Sequence, residues 1–118
     1  MLALRGATTV DADTKDEIDR KTQALVQEMV DRNGVDHDNI VSVFFNATPD
    51  LHSQFPATSV RAIGFGDIPL ICAQELQIDG SLPMAIRVLM HLYTDTPRDE
   101  LRHVYLEGAR VLRDDLPE

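Results

Sequence analysis

At 118 residues the chain has the length of one domain, residues 1–118, with the 43% apolar and 26% charged content of an ordinary globular protein. Eleven basic against twenty acidic side chains leave a net charge of −9, which argues against nucleic acid or an anionic membrane as partner. A single cysteine, Cys72, rules out an internal disulfide or a Cys-rich metal centre and fits a reducing cytoplasm, and no apolar run is long enough for a signal peptide or a membrane span.

The first apolar run, Leu2-Ala3-Leu4, leads through Arg5 into Gly6-Ala7-Thr8-Thr9-Val10 and reads as a strand. Thr14 with Glu17 three residues on forms a capping box, and Asp16, Glu17 and Asp19 suit the positive end of a helix. Ile18, Thr22, Leu25 and Met29 then recur on one helical face, and Asn33-Gly34 supplies the stop. Residues 40–45 form a short β-rich run that ends at Asn46 and the turn Thr48-Pro49-Asp50. Pro56 opens a short helix through Val60, Arg61 and Ile63 to Gly64, and Gly64-Phe65-Gly66-Asp67 reads as a bend. Residues 68–72 read as a further strand, with Pro69 at an end or an edge.

Asp79-Gly80 signals a turn. Residues 86–93 fit a buried helix or a strand by periodicity alone. The short length and flanking turns favour a strand with Ile86, Val88, Met90 and Leu92 on one side. Thr96-Pro97 with Asp99 starts a helical turn, while Gly108 interrupts residues 104–112 and favours extended segments there. The sum is an α+β fold: a five-stranded mixed sheet packed by one long helix and short helices. One long helix covers one face of such a sheet, so the other, left bare, predicts self-association.

The usual catalytic signatures are missing: there is no P-loop, dinucleotide fingerprint, Gly-x-Ser-x-Gly elbow or His-Glu-x-x-His pair. His37, His52, His91 and His103 lack ligand spacing, so no metal is expected, and Cys72 in an apolar run reads as a small buried hydrophobe. What stands out is Arg87, set inside Ile86-Arg87-Val88-Leu89-Met90, and Arg5 before a glycine. A guanidinium cannot lose its charge, so Arg87 must be paired or face a cavity. Two readings stay open: an ion pair with Glu75, or a pocket for a small dianion with one carboxylate to accept a hydroxyl proton. The second suits either electrostatic catalysis or a non-catalytic trimeric module that binds a small dicarboxylate.

Six short motifs occur in order: Arg5-Gly6-Ala7-Thr8-Thr9-Val10; Ala47-Thr48-Pro49-Asp50-Leu51-His52 with Phe55-Pro56-Ala57; Cys72-Ala73-Gln74-Glu75; Ile86-Arg87-Val88; Arg102-His103-Val104-Tyr105-Leu106-Glu107; and Val111-Leu112-Arg113. Together they resemble the monofunctional chorismate mutases of the trimeric α/β-barrel class across essentially the whole chain. The resemblance implies a cytoplasmic isomerase without cofactor that converts chorismate to prephenate on the route to phenylalanine and tyrosine. It implies a homotrimeric pseudo-α/β-barrel with active sites between subunits. By position, Arg87 would meet the breaking ether oxygen, Arg5 a substrate carboxylate with help from Tyr105, and Glu75 the ring hydroxyl, with Cys72 beside it. Phe55, Ala57 and Arg61 would come from the neighbouring subunit, Leu70 and Ile71 would form pocket wall, and Leu112 and Arg113 a closing segment. Departures are expected at Thr58, where the resemblance leads one to expect a lysine, at the bend near Gly64, a residue shorter, and in the brief tail after Arg113.

Overall fold

The strand at the centre of the sheet is organised by its own alternation. In β4 (Ala85–Leu92), Ile86, Val88, Met90 and Leu92 are all buried, while Arg87, Leu89 and His91 point to the opposite face. Side chains two apart share a face of a strand, so this pattern can bury only one side. The strand reading of this segment, preferred over a helix on length and flanking turns, is what the chain adopts. The structure is a computed structural model that describes residues 1–112.

Antiparallel partners flank β4: β1 (Leu2–Thr9) on one side and β2 (Ile40–Ala47) on the other. Two parallel strands close the edges, β3 (Leu70–Gln74) beside β2 and β5 (Val104–Tyr105) beside β1, giving the order β3-β2-β4-β1-β5. The sheet is therefore five-stranded and mixed, as expected. Its third strand in the chain begins at Leu70 rather than residue 68. Pro69, which has no N–H to give, precedes it and only accepts, from Val43 N–H at 3.0 Å.

Helix α1 (Lys15–Asn33) lies across one face of this sheet. Thr14 caps it by accepting from Glu17 N–H at 3.2 Å, and Gly34 ends it in the left-handed conformation at φ 57°. The box differs from its simplest form, because the Glu17 carboxylate reaches back past Thr14 to accept from Asp11 N–H at 3.0 Å. That bond, with Arg20 second, holds the Glu17 carboxyl below its ordinary pKa. Ile18, Leu25, Val26 and Met29 are fully buried against Leu4, Val43, Phe45, Ile86, Val88 and Met90. Burial of each such side chain stabilises by about 1.5–3 kcal/mol.

The short helix α2 (Pro56–Val60) starts at its proline and passes directly into a π-turn, Arg61–Phe65, where Gly64 takes φ 103°. Residues 107–112, expected to be extended, instead form a 3-10 segment, Glu107–Leu112. Gly108 does not break that segment but docks it. Its N–H donates to Thr9 Oγ1 at 3.0 Å, and a Cβ there would stand 3.0 Å from the same oxygen.

The helix-free face of the sheet is apolar and open, with Phe44 49% and Ile71 58% exposed. No helix among the described residues is long and apolar enough to cross a membrane. The helix side is packed without slack: a Cβ on Gly6 would meet Met29 Sδ at 2.5 Å and Leu25 Cδ1 at 3.2 Å. Gly6→Ala should therefore destabilise the protein by about 1–3 kcal/mol, the usual cost of overpacking, read from urea unfolding. Unchanged stability would mean that the α1–β1 contact is looser than drawn.

Candidate active site

Strand register gathers the chemistry into two rows across the open face. One row runs Ala73, Asn46, Arg87, Ala7, Tyr105, each paired directly with the next across the sheet. The row beside it runs Ile71, Phe44, Leu89, Arg5. Between them is a cavity of about 600 Å³ whose lining includes Arg5, Arg87, Tyr105, Ile71 and Leu112. Residues far apart in the chain thus meet because a strand presents every second side chain to one face.

The guanidinium of Arg87 lies at one wall of the cavity, Nε 3.3 Å from Glu75 Oε2, with its side chain 47% exposed. An ion pair this open to water is worth roughly 0–1 kcal/mol, so a bound anion can displace it. Both readings left open by the sequence hold together: Arg87 is paired, and it faces space large enough for a small molecule. Arg5 pairs with no carboxylate among the described residues, which leaves its charge to the cavity. Asn46, on the same wall, has a buried Oδ1 without a hydrogen-bond partner among the described residues. No group of three or more His, Cys, Asp or Glu among those residues could hold a metal ion.

The remaining expected site residues lie elsewhere on the chain. Phe55, 68% exposed, and Cys72 line a separate recess of about 370 Å³ with Leu51, His52 and Gln54. Ala57 is buried in α2, Arg61 is exposed after it, and Leu70 turns to the core rather than to either recess. Arg113 lies outside the described residues.

The family model for chorismate mutase type I matches residues 1–116. The chain belongs to the type I chorismate mutase family. It is similar to chorismate mutase AroH from Bacillus subtilis (strain 168), 46% identical over 114 residues, covering 96% of this chain and 90% of that protein. Chorismate mutase AroH from Thermus thermophilus is also 46% identical over 114 residues, covering 96% of this chain and 93% of the relative. A solved chorismate mutase from Clostridium thermocellum superposes with a TM-score of 0.92 at 45% identity, covering 94% of this chain and 99% of the other.

The activity follows from membership: an isomerase that converts chorismate to prephenate, in the biosynthesis of aromatic amino acids. The reading as a non-catalytic binding module is set aside.

Among the cavity's lining, Phe44, Asn46, Ala73 and Leu89 were not anticipated from the sequence as site residues. Their signal was present in outline. Phe44 and Asn46 alternate with the core residues Val43 and Phe45, which puts them on the face of Arg87 once the pairing is known. Chorismate mutase chemistry needs no thiolate, and Cys72 is unsuited to supply one. Burial pushes its thiol above the ordinary value, only partly opposed by the Ala57 backbone and the Arg61 charge. A group raised in this way stays protonated at pH 7. Iodoacetamide should accordingly modify Cys72 more slowly in the native protein than in the urea-unfolded chain at that pH. Equal rates would contradict the burial.

Proposed function

We propose that the rearrangement takes place in a cleft between two copies of the chain, within a homotrimer built as a pseudo-α/β-barrel, and that Arg87 supplies the decisive charge. The observation that carries this reading is Arg87 itself, weakly held by Glu75 at the wall of a cavity that also receives Arg5 and Tyr105. Two further features favour a shared cleft. The open face is too apolar to suit water, with Phe44 and Ile71 half exposed or more. Phe55 stands outside the cavity on its own chain, so a neighbour would have to bring that residue to it. The assembly is a cytoplasmic one in this reading.

The reaction is unimolecular and pericyclic. The ether C–O bond lengthens as a new C–C bond forms between the enolpyruvyl arm and the ring, and no proton or covalent intermediate is exchanged with the protein. Two contributions remain for the chain to make. One is to hold the arm folded over the ring, which converts a rare conformer into the bound one. The other is to present fixed positive charge where the ether oxygen becomes electron-rich. Arg87 takes that role, Arg5 and Tyr105 hold the substrate carboxylate, and Glu75 accepts the ring hydroxyl's hydrogen bond. Phe55, Ala57 and Arg61 of the neighbouring copy close one rim, Ile71 and Leu112 form apolar wall, and Cys72 is a contact rather than a reagent. Arg113 completes the set assigned by resemblance, in the closing segment, whereas Leu70 packs against the core and takes no part in the wall.

A preorganised donor at a developing oxyanion contributes roughly 3–4 kcal/mol. Removing the guanidinium by Arg87→Ala, or its geometry by Arg87→Lys, should lower kcat at least about a hundredfold on that scale. Loss of chorismate ultraviolet absorbance measures it, and sedimentation of the wild type should give three times the 13.2 kDa chain mass. Near-normal turnover of Arg87→Lys would remove the fixed guanidinium from the mechanism, and a monomeric active enzyme would remove the shared cleft.

A further inference from the structure

We propose that His103 is a positioning residue for the reaction, acting through Arg5: its imidazole Nδ1 fixes the backbone from which the Arg5 guanidinium enters the cavity. The proposal rests on the reading of Arg5 as a substrate contact.

The edge strand β5 is only two residues long, pairing Gly6 with Val104 and Ala7 with Tyr105. Beyond it the ladder continues by one bond, from Leu106 N–H to Ala7 O at 2.9 Å. On the other side, at Arg5, a side chain takes over. Arg5 N–H donates to His103 Nδ1 at 2.9 Å, so an imidazole stands where a longer strand would offer a carbonyl. A backbone N–H left without an acceptor at a half-buried site would seek another, and Arg5 would move with it.

The histidine is itself held from a different direction. Asn33, at the end of α1, brackets the preceding residue: its Nδ2 donates to Arg102 O at 2.9 Å and its Oδ1 accepts from Arg102 N–H at 2.7 Å. The backbone beside His103 is therefore anchored to the helix without help from Arg5. Losing the Nδ1 acceptor would release Arg5 while leaving β5 in place. Accepting at Nδ1 requires that ring nitrogen to carry no proton, which in the neutral ring puts the proton on Nε2.

The two ring nitrogens can be separated by substitution. Asn places an amide oxygen as many bonds from Cβ as Nδ1, whereas Gln reaches the position of Nε2. We expect His103→Asn to keep kcat/KM within about threefold, and His103→Gln and His103→Ala to lower it about tenfold to a hundredfold, the upper figure being the cost of a misplaced contact. In an Arg5→Ala background the three His103 variants should become indistinguishable. Rescue by Gln and not by Asn, or His103 effects that persist in full without the Arg5 side chain, would overturn the proposal. An Arg5→Ala enzyme with unchanged kcat/KM would instead overturn the role given to Arg5. On the native chain, nitrogen-15 shifts of His103 should show the proton on Nε2. A proton on Nδ1 would overturn the proposal without any variant.

Discussion

A guanidinium that cannot be discharged stands in the central strand of a sheet, and the rest of the structure is arranged around it. Alternation along β4 forces the choice: if Ile86, Val88, Met90 and Leu92 enter the core under α1, Arg87 must leave by the other face. That face then cannot be sealed by a second apolar layer of the same chain without burying the Arg87–Glu75 pair, whose desolvation can cost more than its attraction returns. Leaving it open creates the cavity. The fold and the site are therefore two consequences of one period-two pattern.

Openness, in turn, makes the charge usable. The contact of Arg87 with Glu75 is half exposed and weak, so it orients the side chain without committing it. In the proposed mechanism a dianionic guest competes for the guanidinium on favourable terms, since Arg5 adds a second charge that no described carboxylate neutralises. The chain's overall charge opposes this: −9 per copy would be three times −9, or −27, for the proposed trimer. At physiological salt that repulsion is screened beyond roughly 8 Å, and inside that range the two arginines dominate.

Much of this was legible in the residues, and the limits have physical causes. α1 was readable because cap, apolar face and left-handed stop are all local signals, carried by Thr14, Ile18 to Met29 and Gly34. Arg87 was conspicuous because a charge in an apolar run has few explanations. Phe44, Asn46 and Leu89 were not found as lining, since their part depends on which strand lies beside which, and register is a long-range property. Residues 107–112 were misjudged for a similar reason. Gly108 looked like an interruption, but its missing side chain serves a close approach to Thr9, ninety-nine residues away in the chain. A fifth strand was read within residues 104–112, but not its two-residue length, because side chains of Asn33 and His103 and the ion pair of Lys21 with Glu107 hold that segment where a longer ladder would.

The central claim is that a charge fixed on β4 reaches the oxygen released from the ether bond. A crystal structure with prephenate bound tests it most directly, because that oxygen survives in the product as the ketone of the pyruvyl arm. The account predicts the Arg87 guanidinium turned away from Glu75 and within hydrogen-bonding distance of this ketone, with Phe55 of another copy at the rim. Product bound in the same cavity with Arg87 still closed on Glu75, or turned out to solvent, would contradict it.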